Sequence, residues 1–174
     1  DYHKNKMFKA KEIEGELKYA VRRQEETIYH RQLKMTSPVL NRFRDLVLYN
    51  LEAGQAVLTD NNDIRIYTDG KEKFHALIEE MKCAKKYIHV QYYIIRNDEV
   101  WQDIEKVLIE KAHEGVEVRV LFDSMGCRTM HKRDWDRLKR EGIRVAEFFP
   151  AILGQLQMRV NYRNHRKIVV IDGK

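Results

Sequence analysis

His165 and Lys167 stand two residues apart, directly ahead of Ile168-Val169-Val170-Ile171, and Asp172-Gly173 closes the run. Four β-branched residues in a row favour a buried strand, and Asp-Gly is a common tight-turn pair. Strand alternation puts His165 and Lys167 on one face, so an imidazole and an ammonium lie side by side where a sheet begins. That pairing suits phosphoryl chemistry. A neutral imidazole can attack phosphorus while the lysine stabilises charge on the non-bridging oxygens. Asp172 stands at the far end of the strand, where it either orients a histidine or caps the turn. Taken alone, a His/Lys pair before an apolar strand more often decorates a surface, so the surrounding elements have to decide.

Those elements alternate. Residues 1 to about 36 are strongly charged, contain no proline and place Ile13, Leu17, Ala20, Val21, Ile28 and Leu33 in a ragged stripe at helical spacing. Ser37-Pro38 breaks this arm, and a short helix from Leu40 to Leu51 ends near Ala53-Gly54. Gln55–Thr59 and Ile64–Thr68 read as two short strands around the turn-rich Asp60-Asn61-Asn62-Asp63. Asp69-Gly70 introduces a helix through Lys86, and Tyr87–Ile95 is dense enough in β-branched and aromatic residues to be a central strand. Asn97 or Asp98 caps a helix that stops at Gly115, Val116–Phe122 is a strand, and a helix over about 132–140 stops at Gly142 before a strand at Ile143–Phe148. The strand–helix repetition predicts an α/β sandwich with a mixed, largely parallel sheet flanked by helices, preceded by a helical arm.

With 174 residues the chain can form a domain with a proper core, and its 34% charged residues leave no window with the apolar length of a membrane span. The net charge of +6 suits phosphate-bearing partners of any kind without choosing among them. Cys83 and Cys127 fall on different elements with no metal-ligand spacing, and the histidines at 3, 30, 75, 89, 113 and 131 are scattered. Cys127 reads as a tolerated small residue. Gln91, Tyr92 and Tyr93 read as strand packing with one face able to approach the site.

The spacing His-x-Lys-x-x-x-x-Asp resembles the signature of the phospholipase D superfamily. The longer stretch Val160-Asn161-Tyr162-Arg163-Asn164-His165-Arg166-Lys167-Ile168-Val169-Val170-Ile171-Asp172-Gly173 resembles the first catalytic motif of bacterial cardiolipin synthases. Tyr67-Thr68-Asp69-Gly70, His89-Val90-Gln91-Tyr92-Tyr93-Ile94-Ile95 and Val118-Arg119-Val120-Leu121-Phe122-Asp123-Ser124-Met125-Gly126 follow the order of that family, and the likeness runs from about Leu40 onward. One departure is Trp101, where the family often carries glycine.

The resemblance implies a phosphatidyltransferase that makes cardiolipin and glycerol from two phosphatidylglycerols through a phosphohistidine. It assigns His165 as nucleophile, Lys167 as phosphate ligand and Asp172 as the acid of the motif. Asn164, beside the nucleophile, could touch the diester; Asp123, at the end of a strand, either lines the cleft or sits in a surface turn. Arg166 points away in a regular strand. No cofactor or metal is expected, because two motifs together supply the positive charge. Residues 1–53 would be a helical juxtamembrane connector whose Lys4, Lys6, Lys9 and Lys11 face anionic lipid, and residues 54–174 a first phospholipase D-like domain cut just after its motif. Expected partners are phosphatidylglycerol, anionic membrane lipid and a second such domain of the same parent chain, at the cytoplasmic face of a bacterial membrane; a homo-oligomer is compatible, and nucleic acid is not the expected partner. The apolar stretch 151–158 would pack on a neighbouring domain or meet lipid chains. The competing readings are a self-paired, metal-independent phosphodiesterase and a module that merely holds a lipid phosphate.

Overall fold

A computed structural model describes residues 2–29, 38–59, 61–148 and 165–174. Contacts divide the chain into two compact units, residues 1–65 and 66–174.

The first unit is helical. Helix α1 spans Tyr2–Tyr29, α2 spans Pro38–Arg42 and α3 spans Arg44–Gly54. Of the ragged apolar stripe on α1, Val21 and Ile28 are buried with Leu51 of α3, whereas Ile13 and Leu17 stay exposed. Polar ties supplement this small core: the Gln24 side chain accepts from the Leu58 amide at 2.6 Å and donates to its carbonyl at 2.8 Å. Arg44 donates to the Ile28 carbonyl at 2.7 Å, satisfying one of the orphan carbonyls at the end of α1.

The expected hairpin is absent: among the described residues, 55–59 and 61–68 form no strand. Ile64 and Ile66 have the alternation of a strand but are 75% and 83% exposed. Local alternation makes a strand only where another strand accepts its hydrogen bonds, and here none does.

The second unit is α/β. Helix α4 (Gly70–Cys83) is followed by β1 (Tyr87–Tyr92), α5 (Glu99–His113), β2 (Glu117–Asp123), α6 (Lys132–Arg140), β3 (Arg144–Phe148) and β4 (Ile168–Ile171). The sheet order is β3-β2-β1-β4, with β1, β2 and β3 parallel and β4 antiparallel to β1. This is the mixed, largely parallel sheet expected, with β1 central. The β-branched run of β4 lies at the end of the described sheet, and Ile168 remains 45% exposed. Residue type predicts that a strand forms there, not its place in the sheet order.

Caps follow local chemistry. The Asp69 carboxylate accepts from the Lys71 and Glu72 amides at the start of α4, and Asp98 accepts from Trp101 at the start of α5. Gly115 and Gly142, both at φ +88°, take the left-handed turns that end α5 and α6. Helix α4 stops at Cys83, before the expected Lys86.

One face of the sheet supplies the core. Ile88, Val90, Val118, Val120 and Phe122 are buried together with Met81, Ile104, Leu108, Trp135 and Leu138 from the helices. Each fully buried aliphatic side chain contributes about 1.5–3 kcal/mol. Trp101 belongs to this core, edge-on to Trp135 with ring centroids 6.4 Å apart. The other face carries a polar row, where Glu117 takes Arg119 at 2.9 Å and His89 at 3.0 Å, with Arg144 at 3.7 Å. These donors hold the Glu117 carboxyl down to about 2, Arg119 contributing most. Among the described residues no helix is long and apolar enough to cross a membrane.

Candidate active site

The register of the sheet fixes which residues can meet. Gln91 pairs with Ile168 and Ile88 with Ile171, so β4 begins beside the carboxyl end of β1. Tyr92 pairs with Phe122, so the carboxyl ends of β1 and β2 coincide. Three segments therefore converge at one end of the sheet: His165–Lys167 entering β4, Tyr93 leaving β1, and the turn Asp123–Cys127 leaving β2. In open α/β sheets this is the end at which ligands bind.

His165 and Lys167 come together as expected. They precede β4 rather than lie within it, both exposed, and both adjoin the ring of Tyr93. The imidazole stacks on Tyr93 at 3.9 Å between centroids and 18° between planes. The Lys167 ammonium lies 5.6 Å from the same ring centroid and donates to the His165 carbonyl at 2.8 Å. Imidazole and ammonium thus share one aromatic neighbour.

Asp123 is at this end too, but not as an open cleft residue or a surface turn: it is 1% exposed. Its carboxylate accepts from the Met125 amide at 2.9 Å and the Gly126 amide at 3.2 Å, shaping the turn that follows β2. Asn164 lies outside the described residues, as does the apolar stretch 151–158.

Asp172 sits at the opposite end of β4. It lies five steps of extended chain beyond Lys167, roughly 16 Å. Its carboxylate accepts from the Lys85, Lys86 and Tyr87 amides at 2.7, 2.8 and 2.8 Å. These bonds, that of Tyr87 foremost, hold its carboxyl below the ordinary range. They also explain why α4 ends at Cys83: after Ala84 donates back to the Met81 carbonyl, the Asp172 carboxylate turns the Lys85, Lys86 and Tyr87 amides toward β4. The contacts are neither to a histidine nor to its own turn with Gly173, but to amides of a segment 85 to 87 residues away.

Tyr93, read from sequence as strand packing, Cys127, read as a tolerated small residue, and Lys73, which the sequence did not single out, gain a place here. Tyr93 is the floor under the imidazole. Cys127, buried, accepts from the Ile95 amide at 3.1 Å and donates to the Tyr93 carbonyl at 3.6 Å; burial pushes its thiol up to about 11. Lys73, near the start of α4, is half-buried with its ammonium 3.3 Å from the Tyr92 hydroxyl and 3.9 Å from the Phe74 ring centroid, and burial lowers its pKa. The adjacent aromatic pair Tyr92-Tyr93 at the end of a strand was the available signal.

Residues 77–174, which hold the whole sheet and the His/Lys pair, match the family model of the cardiolipin synthase PLD-like domain. The chain belongs to this family. It is 43% identical to a cardiolipin synthase of Oceanobacillus iheyensis over 90% of its own length and 33% of that protein. It is 44% identical to the major cardiolipin synthase ClsA of Bacillus subtilis over 75% of its length and 27% of that protein. For a Staphylococcus aureus cardiolipin synthase the figures are 46%, 76% and 27%. The chain thus spans about a third or less of the curated relatives it matches. Among solved structures, a polyphosphate kinase of Porphyromonas gingivalis aligns over 55% of this chain and 14% of its own at 21% identity and a TM-score of 0.38, too distant to bear on the argument.

Proposed function

We propose that this chain carries one half of the active site of a phosphatidyltransferase that converts two phosphatidylglycerols into cardiolipin and glycerol. His165 attacks the phosphorus of the first lipid, forming an N–P bond as the P–O bond to the glycerol headgroup breaks. A histidine from a second motif, in the second phospholipase D-like domain of the parent protein, protonates the departing glycerol. That same histidine then takes the proton of a headgroup hydroxyl on the second phosphatidylglycerol. The oxygen attacks phosphorus, the N–P bond breaks and His165 is restored. Lys167 stabilises charge on the non-bridging oxygens throughout.

The observation that carries this reading is the meeting of His165 and Lys167 over Tyr93 at the ligand-binding end of the sheet. An exposed imidazole beside an ammonium can approach a diester, with the cation close to the oxygens that gain charge. Asp172 acts in this scheme by anchoring β4 to the start of β1, and Asn164 by touching the diester beside the nucleophile. Residues 54–174 form the first phospholipase D-like domain. Residues 1–53 connect it to the cytoplasmic face of the membrane, where the basic residues of α1 meet anionic lipid.

His165→Ala in the intact protein is expected to abolish cardiolipin formation from phosphatidylglycerol vesicles. Retained activity would remove His165 from the nucleophile role. Residues 1–174 hold a single His-x-Lys motif, so the purified chain alone is expected to show negligible turnover; cardiolipin made by it alone would refute the need for a second motif.

A further inference from the structure

The imidazole of His165 lies in irregular chain ahead of β4, and among the described residues neither of its ring nitrogens has a hydrogen-bond partner. A nucleophile needs a fixed ring plane, since the attacking lone pair lies in that plane. The contact available to fix it is the stack on Tyr93, 3.9 Å away and within 18° of parallel. Stacking sets the plane while leaving both nitrogens open, one to attack and one to hold its proton. A hydrogen bond donated to a carboxylate would occupy one of them.

Tyr93 is itself held. An added Cβ on Gly126 would lie 1.9 Å from the Tyr93 carbonyl oxygen and 2.8 Å from its carbon, so the turn after β2 presses directly on the Tyr93 backbone. The Cys127 thiol donates to that carbonyl and accepts from Ile95, two residues on. The buried Asp123 carboxylate holds the same turn through the Met125 and Gly126 amides. A continuous set of contacts therefore runs from β2 through the 123–127 turn to the Tyr93 backbone, and from the Tyr93 ring to His165. The ring also stands within cation–π reach of Lys167.

We propose that Tyr93 is a positioning residue for the His165 imidazole, clamped in place by the Asp123–Cys127 turn. This rests on the reading of His165 as nucleophile. The aromatic face orients the imidazole, so the phenol hydroxyl is dispensable and the ring is not.

The test pairs kinetics in the intact protein with proton NMR of His165 in this chain. Tyr93→Phe keeps kcat within about twofold, whereas Tyr93→Leu lowers kcat by roughly 10- to 100-fold with KM for phosphatidylglycerol nearly unchanged, the pattern of a misoriented group. The His165 ring protons are shifted upfield by the Tyr93 ring current in the wild type and in Tyr93→Phe, and return toward free-imidazole positions in Tyr93→Leu. Wild-type kcat in a folded Tyr93→Leu protein that has lost the shift would overturn the proposal. So would the absence of any ring-current shift in the wild type, a result that does not depend on a variant folding. If the shift is present yet His165→Ala stays active, the stack stands and the nucleophile reading is what has failed.

Discussion

Gly126→Ala turns the close approach at the 123–127 turn into a measurable cost. The new Cβ would sit 1.9 Å from the Tyr93 carbonyl oxygen, whereas real contacts of this kind stay beyond 3.0 Å, so the turn and the strand end must part by about 1.1 Å. The obstructing atoms are backbone, and no side-chain rotation relieves them. Overpacking of a well-packed site costs about 1–3 kcal/mol, with the rigid obstruction placing this case at the upper end. Parting the turn from Tyr93 also strains the Cys127 hydrogen bonds to Tyr93 and Ile95, each worth about 1 kcal/mol. The expected total is about 3–5 kcal/mol. For a unit of 109 residues, Ile66–Lys174, at about 4 °C per kcal/mol, that lowers Tm by about 12–20 °C. Thermal unfolding followed by circular dichroism reads this directly. Gly15→Ala is the control: nothing lies within 4 Å of its added Cβ, and in the interior of α1 it should stabilise by about 0.5–1 kcal/mol. A Gly126→Ala protein melting within about 4 °C of the wild type would refute the clamped-turn reasoning.

Asp172→Asn is expected to act on stability rather than chemistry. With the folded carboxyl held below its ordinary value near 3.8, the stabilisation is present above that pH and is lost as pH falls through the lower folded value. Urea midpoints of wild type and variant should therefore differ at pH 7 and converge in strong acid, while kcat per folded intact enzyme is retained. A pH-independent difference would contradict this. Cys83, exposed, should alkylate readily at pH 8. Cys127, with its thiol pushed up to about 11, carries only about one thiolate in a thousand there and should react only on unfolding; mass spectrometry of the two peptides distinguishes them. Leu108→Ala, removing a fully buried side chain packed between α5 and the sheet, should cost about 2–5 kcal/mol in urea unfolding.

Much of the second unit was legible because its signals are local. The caps Asp69 and Asp98, the glycines at 115 and 142 and the β-branched strands each state their element within a few residues. The pair His165 and Lys167 was singled out through its likeness to a family motif, since the local pattern alone reads as surface decoration. What escaped depends on partners distant in sequence. Ile64 and Ile66 alternate like a strand, but among the described residues no strand pairs with them. Asp172 binds amides 85 to 87 residues away, so neither those bonds nor the early end of α4 can be read from its neighbours. Tyr93 is an aromatic residue in a strand-like run, and only the register of β4 against β1 reveals that its ring meets His165.

In the proposed mechanism His165 forms a covalent bond to phosphorus. That bond is tested most directly by mixing the intact protein with phosphatidylglycerol, quenching within a turnover and mapping the adduct by mass spectrometry. A phosphatidyl group is expected on the peptide containing His165 and absent in His165→Ala. A phosphatidyl group on any other residue of the turning-over enzyme would contradict the mechanism.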